Sequence, residues 1–179
     1  MSLLLATLLP GLLLIALGAP LLINHAGYIA TLKALPRSSS AAVVFFGAGS
    51  AWFLWNVLHL SAADFGDYKL WLAIGFFAIA ALSFKCVPDF LAVRGVCVLV
   101  LLSAAPLLRA AYMEYSRPQR LLLVTPVYLL IAAAIWLGVQ PYRMRDFFNW
   151  LFLRPARSRG LGVVLLGYGL LLSLVAFTY

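Results

Sequence analysis

Two histidines, His25 and His59, are the side chains of this sequence best suited to binding haem or a metal ion. A haem held by two histidines needs both at a similar depth on facing helices, and zinc needs three or four ligands. His25 follows the first apolar run, whereas His59 lies near the far end of the second. The two cysteines, Cys86 and Cys97, have neither a redox nor a metal-binding spacing. We therefore expect no metal and no other cofactor.

A polar stripe crosses the second apolar run, in the segment "SAWFLWNVLHL". Trp52, Asn56 and His59 stand at positions i, i+4 and i+7, so they share one face of a helix. Polar groups inside a membrane are costly unless they find partners. Two interpretations stay open: a pocket wall for a quinone, lipid headgroup or small solute, or interhelical hydrogen bonds with an interfacial tryptophan and histidine.

Arg109 is the most deeply placed charge, about one turn before the end of the fourth apolar run. We expect its guanidinium to extend to the headgroups or to pair with an acid such as Asp64, Asp67 or Glu114. The alternative is a role in binding substrate.

The acidic residues argue against catalysis and against a proton path. All five are predicted in loops or at their edges, whereas proton-coupled transporters use buried carboxylates. The sequence has no HExxH, P-loop or G-x-S-x-G motif. We therefore expect a protein that is not an enzyme.

The composition indicates a membrane protein, because 65% of the residues are hydrophobic and 10% are charged. Six apolar runs each approach the roughly 20 residues that cross a bilayer as a helix. The net charge of +8 reflects basic residues at helix ends, so nucleic acid is not an expected partner. The prediction is an all-α integral membrane protein, a single domain over residues 1–179 with six transmembrane helices. The predicted spans are about 2–24, 41–61, 70–86, 95–112, 121–139 and 161–177.

The basic residues predict the orientation. Nine of the thirteen lysines and arginines fall in the loops 25–40, 85–94 and 140–160, which the positive-inside rule assigns to the cytoplasm. Both termini are then outside. The first run lacks a basic flank, so we expect a retained helix and not a signal peptide. Short loops and the lack of a eukaryotic targeting signal favour the bacterial inner membrane.

One sequence pattern occurs twice. Residues 37–49 read "RSSSAAVVFFGAG" and residues 157–169 read "RSRGLGVVLLGYG". Either a duplication produced three helical hairpins in series, or a biased composition produced the match by chance. Small residues let helices approach closely. The predicted helix-packing positions are Gly47, Ala51, Ala134, Gly138, Gly167 and Gly169.

The segment 142–153 predicts an amphipathic helix before the last span. Its apolar face carries Met144, Phe147, Phe148, Leu151 and Phe152, opposite Arg145, Asp146 and Asn149. Such a helix lies in the headgroup layer of a bilayer. The predicted interfacial anchors are Arg143, Arg145, Phe147, Phe148, Trp150 and Phe152. A docking surface for a partner subunit is the alternative.

Two functions are compatible with this pattern. The first is a non-catalytic accessory or structural subunit of a larger membrane complex, or a bundle that self-associates, with lipids and membrane proteins as partners. The second is a transporter or channel component for a small or lipophilic solute.

Overall fold

Helices account for 84% of the chain. The computed structural model describes the backbone of residues 1–179 and every side chain except that of Ala62. Over this range there is no strand, which confirms the all-α prediction. The eight α-helices are α1 (Leu3–Leu22), α2 (Ala26–Ala34), α3 (Ser39–Leu58), α4 (Lys69–Cys86), α5 (Leu91–Ala111), α6 (Leu121–Val139), α7 (Tyr142–Leu151) and α8 (Pro155–Ala176).

Six of the helices are long and apolar enough to cross a membrane. They are α1, α3, α4, α5, α6 and α8, with short 3-10 turns extending α4 and α6 at their N-terminal ends. The largest difference from the prediction is in α8, which begins at Pro155 and not near residue 161. Proline suits the first turn of a helix because the N–H that it lacks has no partner there.

α2 is a helix where the sequence predicted a loop. The Tyr28 N–H donates to His25 Nδ1 at 3.2 Å and satisfies one free donor of the first turn. The Thr31 hydroxyl donates to the Gly27 carbonyl at 2.9 Å. The nine residues of α2 include none that is buried, so no apolar periodicity marks the helix in the sequence.

The chain divides into two compact units. The terminal unit comprises Met1–Lys33, Ser103–Ala133 and Arg145–Tyr179, and the central unit comprises Ala34–Leu102 and Ala134–Met144. The core of the terminal unit is formed by Leu3, Ala6, Ala104, Ala111, Leu123 and Val127. Two smaller clusters in the central unit are formed by Ala42, Leu91 and Ala92, and by Val93, Cys97 and Ala134. Both α5 and α6 contribute residues to each unit.

α1 and α8 form the most extensive helix pair, and both belong to the terminal unit. A methyl group on Gly11 would lie 3.0 Å from the Gly169 carbonyl oxygen, and one on Gly18 would lie 2.9 Å from that of Gly162. The numbering rises on one helix and falls on the other, so the pair is antiparallel. The glycines recur every seven residues on each helix, a spacing that keeps one face turned toward the partner. This extensive pair joins the first and last spans, and the three-hairpin arrangement stays a prediction.

Two hydrogen bonds also connect α8 within the terminal unit. The Ser158 hydroxyl is buried and lies 2.9 Å from Asn24 Oδ1, just after α1. The Tyr168 hydroxyl donates to the Leu122 carbonyl of α6 at 2.6 Å. Ser158 lies in the repeated sequence, and its counterpart Ser38 instead accepts a hydrogen bond from the Ala41 N–H at the start of α3. The two serines of the repeat therefore have different roles.

The central unit has its own close approach, between α3 and α5. A methyl group on Gly95 would overlap the backbone nitrogen of Phe46. The Phe46 ring also meets Phe84 of α4 edge-on, with centroids 5.4 Å apart. A second edge-on pair, Phe53 and Phe76, has centroids 4.9 Å apart. Glycine thus brings α5 against α3, whereas aromatic rings fill the wider space toward α4.

Candidate functional site

The predicted polar stripe on α3 is exposed. Trp52, Asn56 and His59 all lie on the surface of the chain. His59 Nδ1 lies 2.8 Å from the Trp55 carbonyl oxygen, and the Trp55 and His59 rings are in contact, tilted by 33° with centroids 4.3 Å apart. Among the side chains that the structure describes, none hydrogen-bonds to the Asn56 amide. The contacts of His59 are thus local to its own helix, and a pocket role for the stripe stays a prediction.

Arg109 is exposed and lies two residues before Ala111, the last residue of α5. None of Asp64, Asp67 and Glu114 forms a salt bridge with it, since the pair Arg145–Asp146 is the only one within the described part of the chain. This geometry fits a side chain that extends toward solvent or headgroups.

The glycines of the repeated sequence separate into two kinds. A methyl group on Gly47 or Gly167 would meet nothing within 4 Å. A methyl group on Gly49 would contact Val98, and one on Gly169 would lie 2.7 Å from the Gly11 carbonyl oxygen. In each copy, therefore, the second glycine packs inside the chain and the first faces outward.

The remaining small residues also differ in their surroundings. Ala134 is buried beside Val93 and Cys97, whereas Ala51 is exposed. Gly138 faces open space. The outward-facing positions therefore pack against no helix of this chain. The prediction that they are helix-packing positions now applies to contacts with helices of other chains.

The amphipathic helix is present as α7, and the residues of its predicted apolar side differ in burial. Phe148 and Leu151 are buried, at 7% and 2% exposure, so they pack inside the chain and do not point into lipid. Phe147 and Trp150 are 44% and 51% exposed. The two exposed rings are the ones placed to act as interfacial anchors, whereas Phe148 is a core residue. An aromatic residue on the apolar face of an amphipathic helix can either pack in a core or contact lipid. The sequence pattern therefore predicted the same role for Phe147, Phe148 and Trp150.

Cationic side chains around α7 rest on aromatic rings. Arg143 lies over Trp136 at 5.5 Å and Arg157 over Trp150 at 4.4 Å, each measured to the ring centroid. Lys33 lies over Phe152 at 5.8 Å. Cation–π contacts orient these side chains without neutralising their charge.

A cleft that sequence reasoning missed opens in the terminal unit, between the end of α5 and the start of α6. Its volume is about 270 Å³. Its polar walls are formed by Tyr112, Tyr115, Arg120 and Tyr128, and its apolar walls include Leu108 and Val124.

Arg120 is the cation of this cleft. Its Nη1 donates to the Ala111 carbonyl at 2.9 Å, and its guanidinium lies over the Tyr115 ring at 4.5 Å. A second arginine of the same loop, Arg117, donates to the Thr178 carbonyl at 3.2 Å and lies over the Tyr179 ring at 5.6 Å. Both guanidiniums are half-buried and bound only to neutral groups.

Comparison of the chain with protein-family models, curated proteins and solved structures gives no match. Among the described residues, no group of three or more histidines, cysteines or acids is placed to hold a metal ion. The cleft combines concave shape, fixed charge and hydrogen-bonding side chains. Its signal in the sequence is the segment "AAYMEYSRPQR", which places two tyrosines, a methionine and two arginines in one connection.

Proposed function

We propose that the chain is an integral protein of the bacterial inner membrane with a structural, non-catalytic role. It would serve as an accessory subunit of a larger complex or as a bundle that associates with itself. The observation that carries this proposal is a set of glycines that lie in the candidate spans, away from charged neighbours in the sequence, and that no other part of the chain covers. They are Gly47, Gly75, Gly138 and Gly167.

A glycine inside a helix weakens that helix by about 1 kcal/mol relative to alanine. The loss is offset where a neighbouring backbone approaches closely, as it does at Gly18 and Gly169. At the uncovered glycines no such neighbour is present in this chain. A helix from another chain would fill the notch and offset the loss, whereas large side chains would suit contact with lipid alone.

The charge distribution supports a membrane orientation with both termini outside. The loops that carry Lys33, Arg37 and the basic residues around α7 would face the cytoplasm. α7 would lie in the headgroup layer through Phe147 and Trp150, the two exposed rings of its apolar side.

The test compares Gly167→Leu with the wild-type protein in lipid bilayers. A methyl group at position 167 would meet nothing within 4 Å, so the variant monomer should fold. Gly160→Leu is the matched control, because Gly160 is also uncovered but lies between Arg159 and the apolar part of α8. Single-molecule photobleaching measures self-association over a range of dilutions, and affinity purification with mass spectrometry identifies other subunits.

We expect Gly167→Leu to weaken association at least about tenfold, because it fills a notch meant for a neighbouring backbone. Gly160→Leu should leave association close to that of the wild type. A wild-type protein that stays monomeric at all dilutions and copurifies with no partner would overturn the proposal, above all if the monomer moves a solute across the bilayer.

A further inference from the structure

We propose that the cleft between α5 and α6 binds the phosphate group of an anionic lipid, with Arg120 as its principal cation. The argument rests on the charge, the shape and the position of the cleft in the terminal unit. It does not depend on the structural role proposed above.

The first step concerns charge. Arg120 and Arg117 are half-buried, and their partners are carbonyl oxygens and aromatic rings. The nearest acid in the sequence, Glu114, forms no salt bridge with either, since the described residues contain only the Arg145–Asp146 pair. Partly desolvated guanidiniums without a carboxylate favour an anion from outside the chain.

The second step concerns chemistry. A guanidinium carries five N–H donors in a fork that matches phosphate oxygens, and Arg120 uses one of them on the Ala111 carbonyl. The Tyr115 ring and the Ala111 carbonyl hold the guanidinium in place, which lowers the entropic cost of binding. Tyr112, Tyr115 and Tyr128 line the same cleft, and their hydroxyls are further donors that a phosphate could use.

The third step concerns the rest of the ligand. Leu108 and Val124 form apolar walls of the cleft and lie inside candidate membrane spans. A ligand held at Arg120 would therefore have a polar head beside an apolar continuation. The volume of about 270 Å³ is below the range of roughly 300–1,000 Å³ that encloses a whole drug-sized ligand. The cleft would thus take a headgroup and leave the acyl chains along α5 and α6.

The test measures lipid binding to the full chain by native mass spectrometry in detergent, with phosphatidylglycerol and phosphatidylcholine as probes. Arg120→Gln removes the cation of the cleft. Arg109→Gln is the matched control. It also removes one positive charge, but Arg109 lies on α5 and does not line the cleft. Tyr128→Ala, at a residue 60% exposed, alters the cleft with little risk to folding.

We expect the wild type to bind phosphatidylglycerol more tightly than phosphatidylcholine. Arg120→Gln should weaken phosphatidylglycerol binding at least about tenfold, and Tyr128→Ala about threefold, whereas Arg109→Gln should change it less than twofold. Thermal unfolding identifies any variant that has lost its fold. If Arg120→Gln has lost its fold, the effect of Tyr128→Ala on phosphatidylglycerol binding decides.

Two results would overturn the proposal. Equal binding of the two lipids, or equal losses for Arg120→Gln and Arg109→Gln, would show that the cleft recognises no anionic headgroup. Inorganic phosphate and glycerol 3-phosphate form the second arm of the experiment. If either binds as tightly as phosphatidylglycerol and displaces it, the ligand is a soluble phosphate and the lipid assignment fails.

Discussion

Gly18 and Gly162 face each other across α1 and α8 so closely that a methyl group on Gly18 would lie 2.9 Å from the Gly162 carbonyl oxygen. One on Gly162 would lie 2.6 Å from the Leu22 backbone nitrogen. Neither position has room for a side chain, because backbone and not a movable side chain occupies the space. The same relationship recurs seven residues away at Gly11 and Gly169. The fold of the terminal unit therefore depends on four residues that have no side chain.

Gly169→Leu should destabilise the fold strongly, whereas Gly167→Leu should not. A side chain at position 169 would push α1 away from α8, at a cost of about 3 kcal/mol or more. Position 167 faces open space, so Gly167→Leu should not lower the free energy of unfolding, and the gain in helix propensity should raise it by up to about 1 kcal/mol. Thermal unfolding of both variants in the same detergent provides the measurement. Equal shifts in melting temperature would contradict the close contact of α1 and α8.

The hydrogen bond between Ser158 and Asn24 should be measurable by a double-mutant cycle. Asn24 has a positive φ of 54°, so Asn24→Gly keeps the backbone geometry and removes only the amide. Combining it with Ser158→Ala should give a coupling energy of about 0.5–1.5 kcal/mol. Asn24→Ala should cost about 1 kcal/mol more than Asn24→Gly because of left-handed strain. Strictly additive effects of the two single changes would show that the bond contributes nothing.

Tyr179→Phe should maintain or raise stability near pH 7. The Tyr179 hydroxyl is buried and has no hydrogen-bond partner among the described residues. The nearby Thr7 hydroxyl donates to the Leu3 carbonyl at 2.9 Å. Removing an unpaired hydroxyl should therefore add up to about 1 kcal/mol to the free energy of unfolding. A loss of more than about that amount would show that the hydroxyl has a partner.

The same variant should be less sensitive to alkali. Burial raises the pKa of Tyr179 above its ordinary value of 10.0, although the charge of Arg117 opposes the rise. Above pH 10.0 the unfolded chain loses this proton while the folded chain keeps it, so stability falls as pH rises toward the folded pKa. Unfolding measured between about pH 9 and 11 should show a steeper decline for the wild type than for Tyr179→Phe. An equal decline in the stability of the two proteins would show that Tyr179 does not cause the loss of stability at high pH.

The two cysteines should differ in reactivity toward a membrane-impermeant maleimide. Cys86 is exposed at the end of α4, whereas Cys97 is buried within α5. We expect Cys86 to react at least roughly tenfold faster, with Cys97→Ala leaving the labelling intact and Cys86→Ala abolishing it. With the proposed orientation, Cys86 reacts in inverted vesicles and not in intact cells. Labelling of Cys86 from the cell exterior would show that the orientation in the membrane is the opposite of the one proposed.

Phe148 and Phe147 are adjacent but should respond differently to truncation. Phe148→Ala should lower the free energy of unfolding by about 3 kcal/mol, because a buried ring leaves a cavity. Phe147→Ala should change the free energy of unfolding by less than about 0.5 kcal/mol. Its main effect should be to weaken the contact of α7 with the surface of anionic lipid vesicles. If Phe147→Ala is the more destabilising of the two, the assignment of faces on α7 is incorrect.

Composition predicts much of the fold. Long apolar runs mark every candidate span, and the ends of α6 agree with the predicted range 121–139. The start of α8 was missed because Pro155 looks like a terminator although it also suits a first turn. α2 was missed because nine residues without an apolar stripe carry too weak a signal.

The packing could not be predicted in the same way. Gly47 and Gly49 differ by two positions, or about 200° around a helix, and the sequence does not say which face another helix will cover. Hydropathy is nearly uniform around these helices, so it carries no information on direction. Likewise, Arg120 and Tyr115 are recognisable as charged and aromatic, but only tertiary structure brings them to one cleft.

The pairing of α1 with α8 affects how the chain reaches its final state. α1 is synthesised before its partner α8, which starts at Pro155, some 130 residues after Leu22. At about 5–20 residues per second, that interval lasts on the order of ten seconds. During this time the glycine-bearing side of the first helix stays open to other sequences, including newly made copies of itself. Biogenesis is therefore the period in which this helix is most vulnerable to a wrong partner.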